Sequence, residues 1–282
     1  MSIVVTDLSY RYGTPGTTQF ALQNISFTVE EGAFFGIAGH TGSGKTTLVQ
    51  HLNGLIPSEK GKIVVDGHDL GEKAERKTVR SLVGMVFQYP EYQLFAETVF
   101  DDVAFGPKNM KLDEAEIKRR VQRSLERVGL DPARFGQKSP FELSGGEKRR
   151  AALAGVLAMQ PKYLVLDEPM AGLDPIGRQA ILGILEELRR EEGCSILMIS
   201  HSMEDLALHA TRMLVLDRGQ IAFNDTPEAV FSHAEELEQL GLTVPQRTRL
   251  SMLLRKQGFD APVVSTDEQP LLDWVAGRIR HA

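Results

Sequence analysis

Apolar and polar positions change their period several times along this chain. Over IVVTDLSYRYG at 3–13 and ALQNISFTVEEG at 21–32 they alternate and end in turn residues. This predicts strands of an antiparallel sheet joined by the TPGTTQ loop at 14–19. GKIVVDG at 61–67 fits a further strand. Unbroken apolar runs follow at FFGIA (34–38), LVGMVF (82–87), YLVLD (163–167) and SILMIS (195–200). Runs without alternation belong to strands covered on both faces, so they predict a parallel sheet. Helical periods separate them. Asp113 with Glu116 predicts a capping box, Ile117, Val121, Leu125 and Val128 share one face, and Gly129 is a natural stop. Another helix is predicted over 176–192, and MLVLDRGQIAF reads as a hairpin turned at Arg218-Gly219. After Pro227 the chain is polar and helix-prone, with breakers at Pro245, Gly258 and Pro262. The reading is therefore an α/β domain over 1–226 with a helical appendage at 227–282.

Composition bounds what such a chain does. Its 282 residues exceed the usual single domain, and 42% apolar with 25% charged residues is ordinary globular usage. The net charge of −6 argues against a partner held by its phosphate backbone, so no nucleic acid is expected. The single cysteine, Cys194, cannot form an internal disulfide. In its apolar run it reads as a small buried hydrophobe, which fits a reducing compartment. MSIVVTDLSY lacks the pattern of a signal peptide, and no run approaches the ~18 apolar residues of a membrane helix. The expectation is a chain that neither spans a membrane nor is exported.

The first chemical motif is GHTGSGKTT at 39–47, lying between the strand FFGIA and the helical pattern TTLVQHLNGL. Gly39, Gly44, Lys45 and Thr46 match G-x-x-x-x-G-K-[ST]. Glycines there let backbone N–H groups converge on phosphate oxygens, the lysine reaches β- and γ-phosphates, and the threonine can ligate Mg²⁺. A merely flexible glycine loop is the bland alternative, and the strand-loop-helix context argues against it. YLVLDEP ends a strand in adjacent carboxylates that point apart. Asp167 is placed to hold Mg²⁺ through water and Glu168 to polarise an attacking water; a solvated strand end is the alternative. LSGGEKRRAALAGVLAM opens with Ser144 and Glu147 in capping-box spacing. That accounts for the serine and glutamate but leaves Gly145 and Gly146 unexplained, because consecutive glycines weaken a helix. A second phosphate-binding helix end is the sharper reading, which gives one chain two phosphate motifs for one nucleotide.

In their order these motifs resemble the ATP-binding cassette ATPases, over residues 3 to about 226. The resemblance implies a P-loop cassette with a parallel-sheet core, an N-terminal antiparallel β subdomain, a helical signature subdomain at about 89–160 and the small C-terminal appendage. Head-to-tail dimerisation would resolve the excess motif, since in that family the signature of one subunit closes on nucleotide held by the other. Tyr12 resembles the aromatic that stacks on adenine. The loop Gly39, His40, Thr41, Gly42, Ser43, Gly44, Lys45, Thr46, Thr47 resembles the Walker A motif, and Gln88 the Q-loop glutamine that reaches metal and water. Ser144, Gly145, Gly146 and Glu147 match the signature, LVLDE the Walker B strand, Asp174 the D-loop and His201 the switch histidine. ATP and Mg²⁺ are the implied cofactors, with Thr46, Gln88 and Asp167 toward the metal. Two positions depart from the family pattern: Glu147 stands where glutamine is commonest, and Met170 follows Pro169 where threonine is common.

FQYPEYQLFAE at 87–97 narrows the resemblance to the ATPase subunits of energy-coupling factor importers, and to the second of their two paralogous types. That implies a paralogous ATPase partner, a transmembrane coupling protein and a substrate-binding membrane subunit, with this chain peripheral on the cytoplasmic face. Vitamins or transition-metal ions are the substrates of such importers, and the appendage there assists dimer contact. Phe87 is expected in the core; Tyr89, Tyr92 and Phe95 are expected at or just behind the coupling-protein contact. A soluble cassette that regulates a nucleic-acid or ribosome assembly is the second reading. The chain has neither the long coiled coil nor the paired cassettes common in those classes.

Overall fold

A computed structural model describes residues 1–13, 20–262 and 266–279, so the TPGTTQ loop lies outside the described residues. In chain order the strands are β1 Ser2–Tyr10, β2 Leu22–Glu30, β3 Phe34–Ala38, β4 Ile63–Val65, β5 His68–Asp69, β6 Val83–Val86, β7 Tyr163–Asp167, β8 Ser195–Ile199, β9 Arg212–Asp217 and β10 Gln220–Asp225. The chain divides into two compact units. One comprises Met1–Thr6, Thr28–Ala33 and Thr46–Met198; the other comprises Asp7–Phe27, Phe34–Lys45 and Ile199–Ala282.

One sheet has the strand order β2-β1-β4-β5, and within the first unit β1 runs antiparallel to β4, with Ile3 opposite Val65 and Val5 opposite Ile63. All four of these side chains are buried, as alternation requires of one covered face. β6 runs parallel to β7, from Val83 opposite Tyr163 to Val86 opposite Leu166, and β8 lies next to β7. Every position of β6, β7 and β8 is buried, which is why their sequences show no alternation. Gly84 admits a helix to this sheet: a Cβ there would lie 2.7 Å from Val156 Cγ1 on the helix Gly145–Leu157. That helix packs with the helices Val99–Asn109 and Glu114–Arg127. Cys194 is buried, and burial pushes its thiol up to about 12.

Two local expectations are corrected. Asp113 does cap its helix by accepting from the Glu116 N–H at 2.9 Å, but the reciprocal half of the box is missing. The Glu116 carboxylate binds Arg119 at 2.8 Å and Arg120 at 2.6 Å, because a guanidinium outcompetes a neutral backbone donor. β6 ends at Val86, so Phe87 is half-buried rather than in the core.

In the second unit β3 runs parallel to β9, from Phe35 opposite Arg212 to Ala38 opposite Val215. β9 and β10 form the expected hairpin. Arg218 and Gly219 both have positive φ, 46° and 79°, the turn that matches the twist of paired strands. Helices Pro227–Ser232, Ala234–Gln239, Gln246–Lys256 and Gln269–Ile279 follow. Gln246–Lys256 inverts the usual pattern, burying Thr248 and Ser251 while Leu250 and Leu253 are exposed. Among the described residues no helix is long and apolar enough to cross a membrane.

Candidate nucleotide site

In the second unit, β3 delivers the chain into a loop shaped by glycine. Gly39, Gly42 and Gly44 have φ of +149°, +82° and +104°, and two of them are also sterically required. A Cβ on Gly39 would stand 2.4 Å from the Leu216 carbonyl, and one on Gly44 2.5 Å from the Ala21 carbonyl. The loop is closed by the Ser43 N–H on the His40 carbonyl at 3.1 Å and by the Gly219 N–H on the Ser43 carbonyl at 3.0 Å. Lys45 is buried and donates from Nζ to the carbonyls of Gly39, at 2.7 Å, and His40, at 2.9 Å. The Ser43 hydroxyl is buried with no hydrogen-bond partner, an orphan that an anionic oxygen would satisfy. The His40 ring lies between Asp217 Oδ1, 2.9 Å from Nε2, and the Thr41 carbonyl, 2.7 Å from Nδ1. Thr41 and Gly42 are exposed at the tip. Tyr12 is 52% exposed, its ring edge-to-face with Tyr10 at 5.0 Å, and His201 is exposed just after β8.

In the first unit, the Thr46 hydroxyl donates to Asp167 Oδ2 at 2.9 Å. Asp167 is only 4% exposed, whereas Glu168 is half-buried and left-handed at φ 51°, so the adjacent carboxylates have separate surroundings. Glu168 Oε2 accepts from Gln88 Nε2 at 3.1 Å. A hydroxyl beside a carboxylate suits a hard divalent cation. Among the described residues there is no group of three or more His, Cys, Asp or Glu that could hold a metal ion. Thr47 is buried within the helix Lys45–Leu52.

Ser144 and Glu147 form a complete capping box. The Ser144 backbone N–H donates to Glu147 Oε2 at 2.8 Å and its hydroxyl does so at 2.7 Å, while the Glu147 N–H returns to the Ser144 hydroxyl. The bond from the Ser144 backbone, then that from its hydroxyl, holds the Glu147 carboxyl below its ordinary range. Gly145 and Gly146 are exposed, and a Cβ on either would meet nothing within 4 Å. Asp174 caps the helix Pro175–Glu192, accepting from the Gly177 N–H at 2.7 Å.

Gln88 leads into Tyr89, which is left-handed at φ 55°, and then a 3₁₀ turn at Pro90–Gln93. Tyr89, Tyr92 and Phe95 are all exposed, Tyr92 at 85%. Phe95 meets Phe105 edge-to-face at 5.0 Å beside a cleft of about 770 Å³ lined also by Lys77, Arg80 and Met159. Sequence reasoning passed over Arg149. It is buried and reaches Glu91, 58 positions away, and Ala171, 22 positions away; no local pattern signals such contacts.

A glycine loop with a buried lysine, followed by a threonine on a strand-end aspartate, defines a nucleotide-hydrolysing cassette of the P-loop class. The chain belongs to the ABC transporter family, whose model matches residues 22–171. It is 51% identical over 265 residues to the energy-coupling factor transporter ATP-binding protein EcfA2 of Caldanaerobacter subterraneus subsp. tengcongensis, covering 93% of this chain and 92% of that one. It is also 51% identical over 273 residues to the protein of the same name from Symbiobacterium thermophilum, covering 95% and 94%. Among solved structures it is similar to cbiO1 from Clostridium perfringens, described as part of the ABC transporter complex cbiONQ. The TM-score is 0.74 at 36% identity, over 90% of this chain and 98% of that one.

Proposed function

We propose that this chain is an ATP-hydrolysing subunit of an energy-coupling factor importer, driving uptake of a vitamin or transition-metal ion through membrane partners. The observation that carries this reading is the bond from Gln88 to Glu168, because it ties a water-polarising carboxylate to a segment of exposed aromatics that ends in Phe95 at a cleft. The names of the curated relatives support the importer class.

ATP is the nucleotide, with Tyr12 against adenine and Gly39, His40, Thr41, Gly42, Ser43, Gly44, Lys45, Thr46 and Thr47 around its phosphates. Lys45 neutralises β- and γ-phosphate charge. Thr46 would hold Mg²⁺, with Asp167 and Gln88 beside it, and the ion supplies further neutralisation of phosphate charge. Glu168 and His201 orient water for in-line attack. Ser144, Gly145, Gly146 and Glu147 serve nucleotide held by a paralogous ATPase subunit, and Asp174 lies at that subunit contact. Residues 227–282 assist the dimer as a domain separate from 1–226. The cleft receives a cytoplasmic helix of a transmembrane coupling protein, which drives a substrate-binding membrane subunit; the chain is thus peripheral on the cytoplasmic face.

Two measurements test this. Glu168→Gln is expected to keep ATP binding and lose turnover by roughly a thousandfold, and unchanged turnover would refute the assigned chemistry. Purification from detergent-solubilised membranes is expected to bring down integral membrane proteins. Retention of RNA or DNA in their place would favour the assembly-regulating reading.

A further inference from the structure

Arg149 lies on the signature helix, with its side chain 7% exposed and every guanidinium nitrogen engaged. Nε and one terminal nitrogen each stand 3.3 Å from a different oxygen of Glu91, in fork geometry, while the other terminal nitrogen donates to the Ala171 carbonyl at 2.5 Å. Glu91 belongs to the 3₁₀ turn between the exposed Tyr89 and Tyr92. Ala171 belongs to the turn that follows Glu168, because its own N–H closes on the Glu168 carbonyl at 3.2 Å. With the Gln88 bond to the Glu168 carboxylate, these contacts complete a ring: Gln88, Glu91, Arg149, Ala171, Glu168. The ring holds Glu168 by its side chain from one direction and by its backbone turn from the other.

We propose that Arg149 is a positioning residue for hydrolysis, joining the Tyr89–Tyr92 segment to the backbone turn that aims Glu168. The inference rests on the assignment of Glu168 as the water-polarising group. A planar fork is needed, since a lysine ammonium at the same place is a point charge that cannot span the Glu91 carboxylate and a carbonyl in fixed geometry. A buried arginine serving only as glue would set stability alone. One that aims Glu168 sets the turnover rate with little effect on nucleotide affinity.

The experiment measures kcat and KM for Mg·ATP in the full chain within the assembly that co-purifies with it. The variants are Arg149→Lys, Glu91→Gln, their double and Glu168→Gln, each with a melting temperature. Arg149→Lys and Glu91→Gln are each expected to lower kcat about tenfold with KM within about twofold, and the double to be no slower than the slower single. Unchanged kcat, a shift confined to KM, or losses that multiply in the double would overturn the proposal. Should Arg149→Lys fail to fold, Glu91→Gln decides alone by the same split. If Glu168→Gln turns over like the parent chain, the underlying site assignment fails, and that result is separate from the Arg149 outcome.

Discussion

The two glycine-rich motifs differ in what demands their glycines. In the loop after β3 the demand comes from the chain itself: side chains on Gly39 or Gly44 would run into the carbonyls of Leu216 and Ala21, and φ is left-handed. In the signature no described residue beyond the adjoining chain and helix backbone is within 4 Å of the missing Cβ atoms of Gly145 and Gly146, and neither φ is left-handed. Helix propensity disfavours glycine there, so the fold gains nothing from it. The first motif is a site this chain builds for its own use. On the proposed function the second is one half of a site, shaped for something another molecule brings.

Substitutions separate these two demands. Gly44→Ala should have the largest effect, abolishing ATP binding and costing about 2–3 kcal/mol of stability from forced strain and overlap; isothermal titration and chemical denaturation read both. Gly146→Ala should be nearly the opposite in folding, with stability unchanged or raised by up to about 1 kcal/mol, while turnover of the assembled ATPase falls roughly a hundredfold. Were Gly146→Ala fully active, the outward-facing reading of the signature would fail. Glu147→Ala should cost about 0.5–1 kcal/mol, the loss of one side of the capping box, which thermal denaturation resolves. The smallest effect is that of pH. Because the folded Glu147 carboxyl titrates below its ordinary value of 4.5, its contribution is complete above that value. It is lost as pH falls through the depressed one, so the stability gap between parent and Glu147→Ala should close on acidification below about pH 4.5.

The parallel strands were legible in the chain because burial on both faces leaves an unbroken apolar run, the antiparallel strands because one covered face leaves alternation, and the hairpin at Arg218-Gly219 because two residues with positive φ need a glycine. What depends on competition between neighbours was not. Asp113 and Glu116 have capping-box spacing, yet Arg119 and Arg120 draw the carboxylate away, whereas Ser144 and Glu147 keep theirs. Phe87 continues an apolar run by composition, but the strand stops one residue before it. The pairings of Gln88 with Glu168 and Thr46 with Asp167 follow the order of motifs and could be anticipated as roles, though not as bonds. The Arg149 contacts join segments far apart in the chain, and the inverted face of Gln246–Lys256 has no meaning until burial is known.

The left-handed backbone of Glu168 bears on how such a chain drifts under mutation. A non-glycine residue in that conformation carries roughly 1–2 kcal/mol of strain, which glycine would relieve. One base change converts a glutamate codon to a glycine codon. A screen for folding, solubility or abundance would pass that change unnoticed, while on the proposed role of Glu168 the cell would inherit a well-made cassette that binds its fuel and cannot burn it.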